Sequence, residues 1–178
     1  MIKDYLKYSP KIGERTWIAE NAMVIGECQI GNDCGVWFGV TIRGDVNYIR
    51  IGDRSNIQDG SIIHVDHSKT EDKDDGYPTK IGDDVTVGHG VTLHGCKIGN
   101  ACLIGMSATL LDGCDIGSES IVAAGSLVTK NKKFPPKSMI MGIPAKVIRQ
   151  LNDDEILDIH ESAKHYVSYK NDYLKMDK

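Results

Sequence analysis

Branched apolar residues recur at every sixth position along most of this chain, and that beat constrains the fold more than any other property. It runs Ile18, Val24, Ile30, Val36, Ile42, restarts at Ile51, Ile57, Ile63, and returns at Ile81, Val87, Leu93. It then slips by one position and continues through Ile98, Ile104, Leu110, Ile116, Val122 and Val128. Glycine often follows the apolar residue, as in Ile51-Gly52, Ile81-Gly82, Ile98-Gly99 and Ile116-Gly117. A hexapeptide period implies a parallel β-helix, whose coils contact only their neighbours. Three hexapeptides close one triangular coil, with each anchor pointing inward and its neighbours pointing out. The expected architecture is all-β over residues 1–150, followed by a C-terminal α-helix over 151–178 that packs on the solenoid.

The interruptions divide the chain further. Residues 1–16 read as a lead-in capping the first coil, and repeats occupy 17 to about 65. Residues 66–80 have the composition of an exposed loop. Repeats resume from Ile81 to about Val128, and Pro135-Pro136 mark a connector over 130–138. Residues 139–150 read as one last extended strand. Asn152 with Glu155 three positions on forms a capping box. Ile156, Ile159, Ala163, Tyr166, Val167 and Leu174 then form an apolar stripe at helical spacing.

Composition narrows the function classes. With 21 basic and 25 acidic residues the formal net charge is −4, and the linear sequence carries no basic stripe, so no nucleic-acid partner is expected. No apolar run spans a bilayer and residues 1–10 carry no signal-peptide pattern, which predicts a cytoplasmic protein without a membrane partner. Cys28, Cys34, Cys102 and Cys114 each sit four positions after an anchor, the slot that Ala108 and Ser126 fill elsewhere. They and Cys96 read as small buried hydrophobes in a reducing compartment.

Three histidines stand out from the register. His64 follows the anchor Ile63 and His94 follows Leu93. The thirty positions between those anchors equal one 18-residue coil plus twelve extra residues. If the segment after residue 65 bulges outward, His94 stacks directly over His64, about 4.8 Å away. Two imidazoles at that spacing can share one ion, because Zn–N bonds are about 2.0–2.1 Å. His89 lies two positions after Val87, on another side of the triangle, and reaches such an ion only from a neighbouring subunit. That geometry predicts a symmetric ring, most simply a homotrimer with interfacial sites. His160 and His165 fall on the terminal helix and read as surface or packing residues.

The chain resembles the γ-class carbonic anhydrases over nearly its whole length. The resemblance rests on Arg43-Gly44-Asp45, the stretch Ile51–Gly60, His64, the stretch Val87–Cys96, Ile104-Gly105-Met106 and Gly142-Ile143-Pro144-Ala145-Lys146. It implies a left-handed coil, a handedness that physics alone would reverse, since parallel crossovers are nearly always right-handed. It implies His64, His89 and His94 as metal ligands, with Zn2+ foremost and Fe2+ or Co2+ compatible with three imidazoles. The implied reaction is hydration of CO2 to bicarbonate. Arg43 and Asp45 resemble an intersubunit ion pair near the site, Gln58 the residue orienting the attacking water, Asp59 its partner, and Asn56 a polar wall. Tyr166 resembles a tyrosine that reaches the site from the final helix, while its spacing equally fits the packing stripe.

Two positions depart from the family pattern. Val46 stands where a proton-accepting glutamate follows the Arg-x-Asp motif, and His67 stands where a shuttling glutamate follows the first ligand. A histidine titrates near 6.5 and can relay protons at neutral pH. Two other functions fit the same repeats: a CoA-dependent acyltransferase or thioesterase using one His as base, and a non-catalytic metal-binding scaffold. Three convergent histidines favour the metal enzyme.

Overall fold

The anchors stack in three columns, one per face of a triangular solenoid. Val24, Ile42, Ile63, Leu93, Leu110 and Val128 pair rung by rung on the first face. Ile12, Ile30, Ile51, Ile81, Ile98, Ile116 and Phe134 do so on the second. Ile18, Val36, Ile57, Val87, Ile104, Val122 and Ile140 form the third. These pairings are all parallel, and most of the anchors are fully buried. A computed structural model describes residues 1–68, 70 and 75–176, which form short strands and one helix, α1 (Asp153–Met176). Among the described residues no helix is long and apolar enough to cross a membrane.

The spare residues leave the coil without disturbing it. Ile63 and Ile81 anchor consecutive faces, so the twelve additional residues emerge between them. The emerging segment is closed at its neck, where Asp66 N–H donates to the Tyr77 carbonyl at 3.0 Å and the buried Asn47 amide donates to the Asp66 carbonyl at 3.1 Å. A smaller bulge opposes Asp45–Tyr48 to Glu27 alone. The five Cys are free and buried, as their slot predicts. Burial pushes the Cys28 thiol up to about 12 and those of Cys34 and Cys102 up to about 11.

The glycines after the second-face anchors have a steric cause. At one corner Asn32, Asp53, Asp83, Asn100 and Ser118 stack, and each side-chain oxygen accepts a backbone N–H from the coil before it, at 2.7–3.1 Å. A Cβ on Gly52 would lie 2.2 Å from Asp83 Oδ1. Only glycine leaves room for the ladder.

The outward positions give each face its own chemistry. On the third face Trp17, Gly35, Asn56, Thr86, Leu103, Ile121 and Met139 form the outer column, and α1 lies over it. On the first face the outer column is Met23, Thr41, Ile62, Thr92, Thr109 and Leu127, with no charge in it. On the second it is Lys11, Gln29, Arg50, Lys80, Lys97, Asp115 and Lys133. A basic stripe invisible in the linear sequence is therefore assembled by register.

Residues 139–150 are not one strand. Ser138–Gly142 and Ala145–Gln150 pair antiparallel as a hairpin. Gly142 takes a φ of 112° and Pro144 follows a cis bond, so the chain reverses there and covers the last coil of the third face.

Helix α1 starts as its capping box predicts. Asn152 Oδ1 accepts from Glu155 N–H at 2.8 Å, and Glu155 Oε2 accepts from Asn152 N–H at 3.0 Å. Arg149 adds a bidentate pair to the same carboxylate. Asn152→Ala is expected to destabilise the fold by about 1 kcal/mol, read as a lowered midpoint in urea with unchanged slope. Ile159 and Ala163 are buried as the stripe requires, and Ile156, Leu103, Ile121 and Met139 pack against the cluster of Ile159, Leu151 and Ala101. The stripe also holds a fully buried Lys170, whose Nζ donates to the Arg15 carbonyl at 2.7 Å and to Asp33 Oδ1 at 2.9 Å.

Candidate metal centre

His64 and His94 are register partners on the first face, one rung apart. Their rings meet with His64 Nδ1 3.1 Å from His94 Nε2. Each ring turns its other nitrogen to a carboxylate. His64 Nε2 lies 3.0 Å from Asp45 Oδ1, and His94 Nδ1 lies 2.6 Å from Asp112 Oδ1. The bulge at Asp45–Tyr48 brings Asp45 over the column, and Asp45 also accepts from Arg43 at 2.5 Å within the same chain. Asp112 stands 18 positions after His94, one coil further on, with Lys130 Nζ 3.9 Å away.

Counting protons shows what this row can hold. It has three links: carboxylate to ring, ring to ring, ring to carboxylate. Burial holds His64 below its ordinary range, opposed by its bond to Asp45. Two neutral rings supply only two N–H groups. Placed against the two carboxylates, where charge-assisted bonds are strongest, they leave lone pairs facing each other across the third link. This proton placement is inferred from the bonding pattern. A tetrahedral ion with bonds of about 2.05 Å separates its ligands by about 3.3 Å, close to the spacing found. Carboxylates behind metal-binding imidazoles fix the tautomer in the same way. The residues present therefore fit a divalent cation. Burial also opposes the Asp45 charge, yet the bonds from His64 and Arg43 outweigh it and hold the carboxyl low.

His89 stands apart from this pair. It lies in the turn between the third and first faces, with Nδ1 3.0 Å from Asp59 Oδ2, and is half exposed. Among the described residues no single chain gathers three His, Cys, Asp or Glu side chains into a metal-binding group. His89 and Asp59 border a cleft of about 440 Å3 whose wall includes Trp37, Phe38 and Tyr166. Tyr166 serves both expectations: its ring packs edge-on against Trp37 at 5.8 Å, and it lines this cleft. Burial, then Tyr169 and Asp59, push its hydroxyl above the ordinary range. Gln58 is buried and donates to Asn56 Oδ1 at 3.2 Å, while Asn56 donates to Thr86 Oγ1 at 3.0 Å, under α1.

The structure thus groups the expected site residues into two sets. Arg43, Asp45, His64 and His94 stand at one edge of the first face. Gln58, Asn56, Asp59, His89 and Tyr166 gather at the end of the third face and its turn into the first. His67 joins neither set; it is exposed at the loop neck and bonds Asp66 at 3.0 Å. Asp112 was missing from the sequence reading: the beat slips by one here, so register counting from His94 reaches Leu111, and Asp112 stands one position beyond it.

Comparison with known proteins follows the same lines. Residues 9–44 and 95–130 match the family described as bacterial transferase hexapeptide (six repeats). A hexapeptide transferase family protein of Anaplasma phagocytophilum superposes with a TM-score of 0.89 and 34% identity, covering 97% of each chain. The mitochondrial gamma carbonic anhydrase 2 of Arabidopsis thaliana is 44% identical over 90% of this chain and 57% of its own length. A carbonic anhydrase of Geobacillus kaustophilus is 39% identical over 98% of this chain and 91% of its own length. The likeness runs through both histidine strands rather than stopping at the repeats, and on that ground the chain belongs to the γ-carbonic anhydrase family.

Proposed function

We propose that the chain catalyses metal-dependent hydration of CO2 to bicarbonate as a homotrimer. The observation that carries this reading is the His64–His94 ring pair, with nitrogens 3.1 Å apart, set between the Asp45 and Asp112 carboxylates. His64 and His94 of one protomer and His89 of the next hold the ion, Zn2+ foremost and Fe2+ or Co2+ as alternatives. The uncharged outer column of the first face, with Ile62 exposed, suits burial against copies of the same chain. His64 and His94 lie at one edge of that face and His89 at the other, so a threefold arrangement around it brings the two edges together.

When bound, such an ion supplies Lewis acidity and lowers the pKa of a coordinated water to about 7. The chain's own residues do the rest. Asp45 and Asp112 hold the ring tautomers. Gln58 spends its N–H on Asn56, which leaves its carbonyl oxygen to accept a hydrogen from water and orient it. Asp59 aligns His89, and Arg43 fixes Asp45. Tyr166 closes the aromatic wall that excludes bulk water. His67, exposed on the loop, relays the released proton to buffer in place of the absent glutamates. The buried free thiols fit a reducing compartment, the cytoplasm.

A second reading has one observation behind it: His89 Nδ1, 3.0 Å from Asp59 Oδ2 beside a roomy cleft, is also placed as a general base with an orienting carboxylate, suited to acyl transfer or thioester hydrolysis with CoA. The test is elemental analysis of protein purified without added metal, with CO2 hydration and acetyl-CoA turnover measured on the same sample. One ion per trimer interface and chelator-sensitive hydration support the proposal. Metal-free protein that consumes acetyl-CoA sinks it, and stoichiometric metal without either activity leaves only a scaffold.

A further inference from the structure

We infer that the second face is a docking surface for an acidic α-helical segment of another protein. Register stacks Arg50, Lys80 and Lys97 on consecutive rungs, with Lys11 and Lys133 in the same file. Among the described residues two carboxylates answer them: Glu27 pairs with Arg50 at 2.9 Å, and Asp115 with Lys97 at 3.4 Å. Among the described residues no ion pair forms to Lys11, Lys80 or Lys133, and the Lys80 ammonium sits 5.3 Å over the Tyr48 ring, which Arg50 also covers. Like charges in neighbouring strands are unfavourable. The other two faces need no such partner, since α1 covers the third and the outer column of the first is uncharged. The file runs along the next face around the corner from the histidine edge, with Lys97 three positions after His94, and it uses none of the side chains assigned to the ion, so the two readings are tested separately.

Spacing selects the partner. Rungs repeat at about 4.8 Å. Acidic residues at i, i+3 or i+4 of a helix recur at about 4.5–6 Å, and a helix of about 20 residues spans the length of the file. Duplex DNA carries one charge per about 1.7 Å around a wide cylinder and needs a broad basic surface. Here the file is one residue wide, broken by Asp115 and bordered by the corner carboxylates Asp53 and Asp83. A strand-like partner has a free backbone edge only at an end of the face, such as Lys133–Phe134, and none along the file, whose inner strands are paired on both sides.

The test uses the full chain and a fluorescent helical peptide of about 20 residues with one row of glutamates, read by anisotropy at about 50 and 200 mM salt. Saturable binding is expected, weakened at least about tenfold by Lys80→Glu with Lys97→Glu and by the higher salt. Lys164→Glu, on α1, leaves it unchanged. Circular dichroism checks the double variant, and Lys80→Gln with Lys97→Gln repeats the test with milder changes. The inference falls if a peptide of equal composition with its glutamates scattered binds as well. It falls equally if neither charge variant matters, if nothing binds, or if single-stranded oligonucleotide or phosphatidylserine vesicles bind more tightly than the peptide.

Discussion

His89→Ala and His94→Ala chains are each expected to purify nearly free of metal, and mixing them as unfolded chains and refolding should restore about a quarter of the wild-type content per chain. The fraction follows from geometry. In the proposed trimer a competent site needs an intact His64–His94 pair from one protomer and an intact His89 from the next. With random assembly each condition holds at half the interfaces, and both hold at about one in four. If all three histidines served one chain, mixing would restore nothing, since every chain lacks one. If His64 and His94 sufficed alone, His89→Ala would keep its metal. Loss of one imidazole out of three is expected to weaken binding by more than about 100-fold, beyond the 10–100-fold effect of losing an outer partner. Asp112→Asn, which weakens the support behind His94, belongs to that smaller class. Metal per chain by mass spectrometry and CO2 hydration should rise together in the mixture.

Asp33→Ala is expected to destabilise the fold by about 3 kcal/mol at pH 7, in the range for a buried cation losing its counter-ion. Lys170 is fully buried, so its ammonium cannot turn to water once Asp33 is gone. The Arg15 carbonyl remains as one acceptor. Lys170→Met in the Asp33→Ala background should recover most of the loss, because it removes the stranded charge and keeps the volume. The double-mutant cycle in urea measures this coupling. Acid offers an independent check. The bond from Arg15, helped by Lys170 against the effect of burial, holds Asp33 down to about 2. Its unfolded value is about 3.9. A depressed carboxyl contributes stability that is fully present above the unfolded value and lost as pH falls through the folded one. That contribution, on the order of 2 kcal/mol, should fade between pH 4 and pH 2 in the native chain. Asp33→Ala should lack it, so the two stability curves converge at the acid end.

The hexapeptide beat carries the fold because each anchor reports its own burial. Register then follows by counting, which is why His64 over His94 was legible once twelve residues were looped out. The same counting, carried one coil past the histidines, reaches Leu111 because the beat slips by one, and so it misses Asp112 by a single position. Other features resist a linear reading for physical reasons. Lys170 occupies an apolar stripe position, and its partners are Asp33 and the Arg15 carbonyl, contributed from the opposite end of the chain. The reversal at Gly142-Ile143-Pro144 looks like continuous strand because both arms carry strand residues. The cations of the second face are scattered between Lys11 and Lys133, and only the coil repeat gathers them. His67 is legible as a titrating side chain and not as a neighbour, since loop placement does not follow from periodicity.

The loop that departs after the first face and rejoins at the second does so between neighbouring rungs, closed at its base by Asp66 and Tyr77. Its length is therefore hidden from the imidazoles on either side. Evolution can lengthen, shorten or rewrite that excursion while the His64–His94 pair stays fixed, so proteins built on this plan can diversify what approaches the two rings without disturbing the rings themselves.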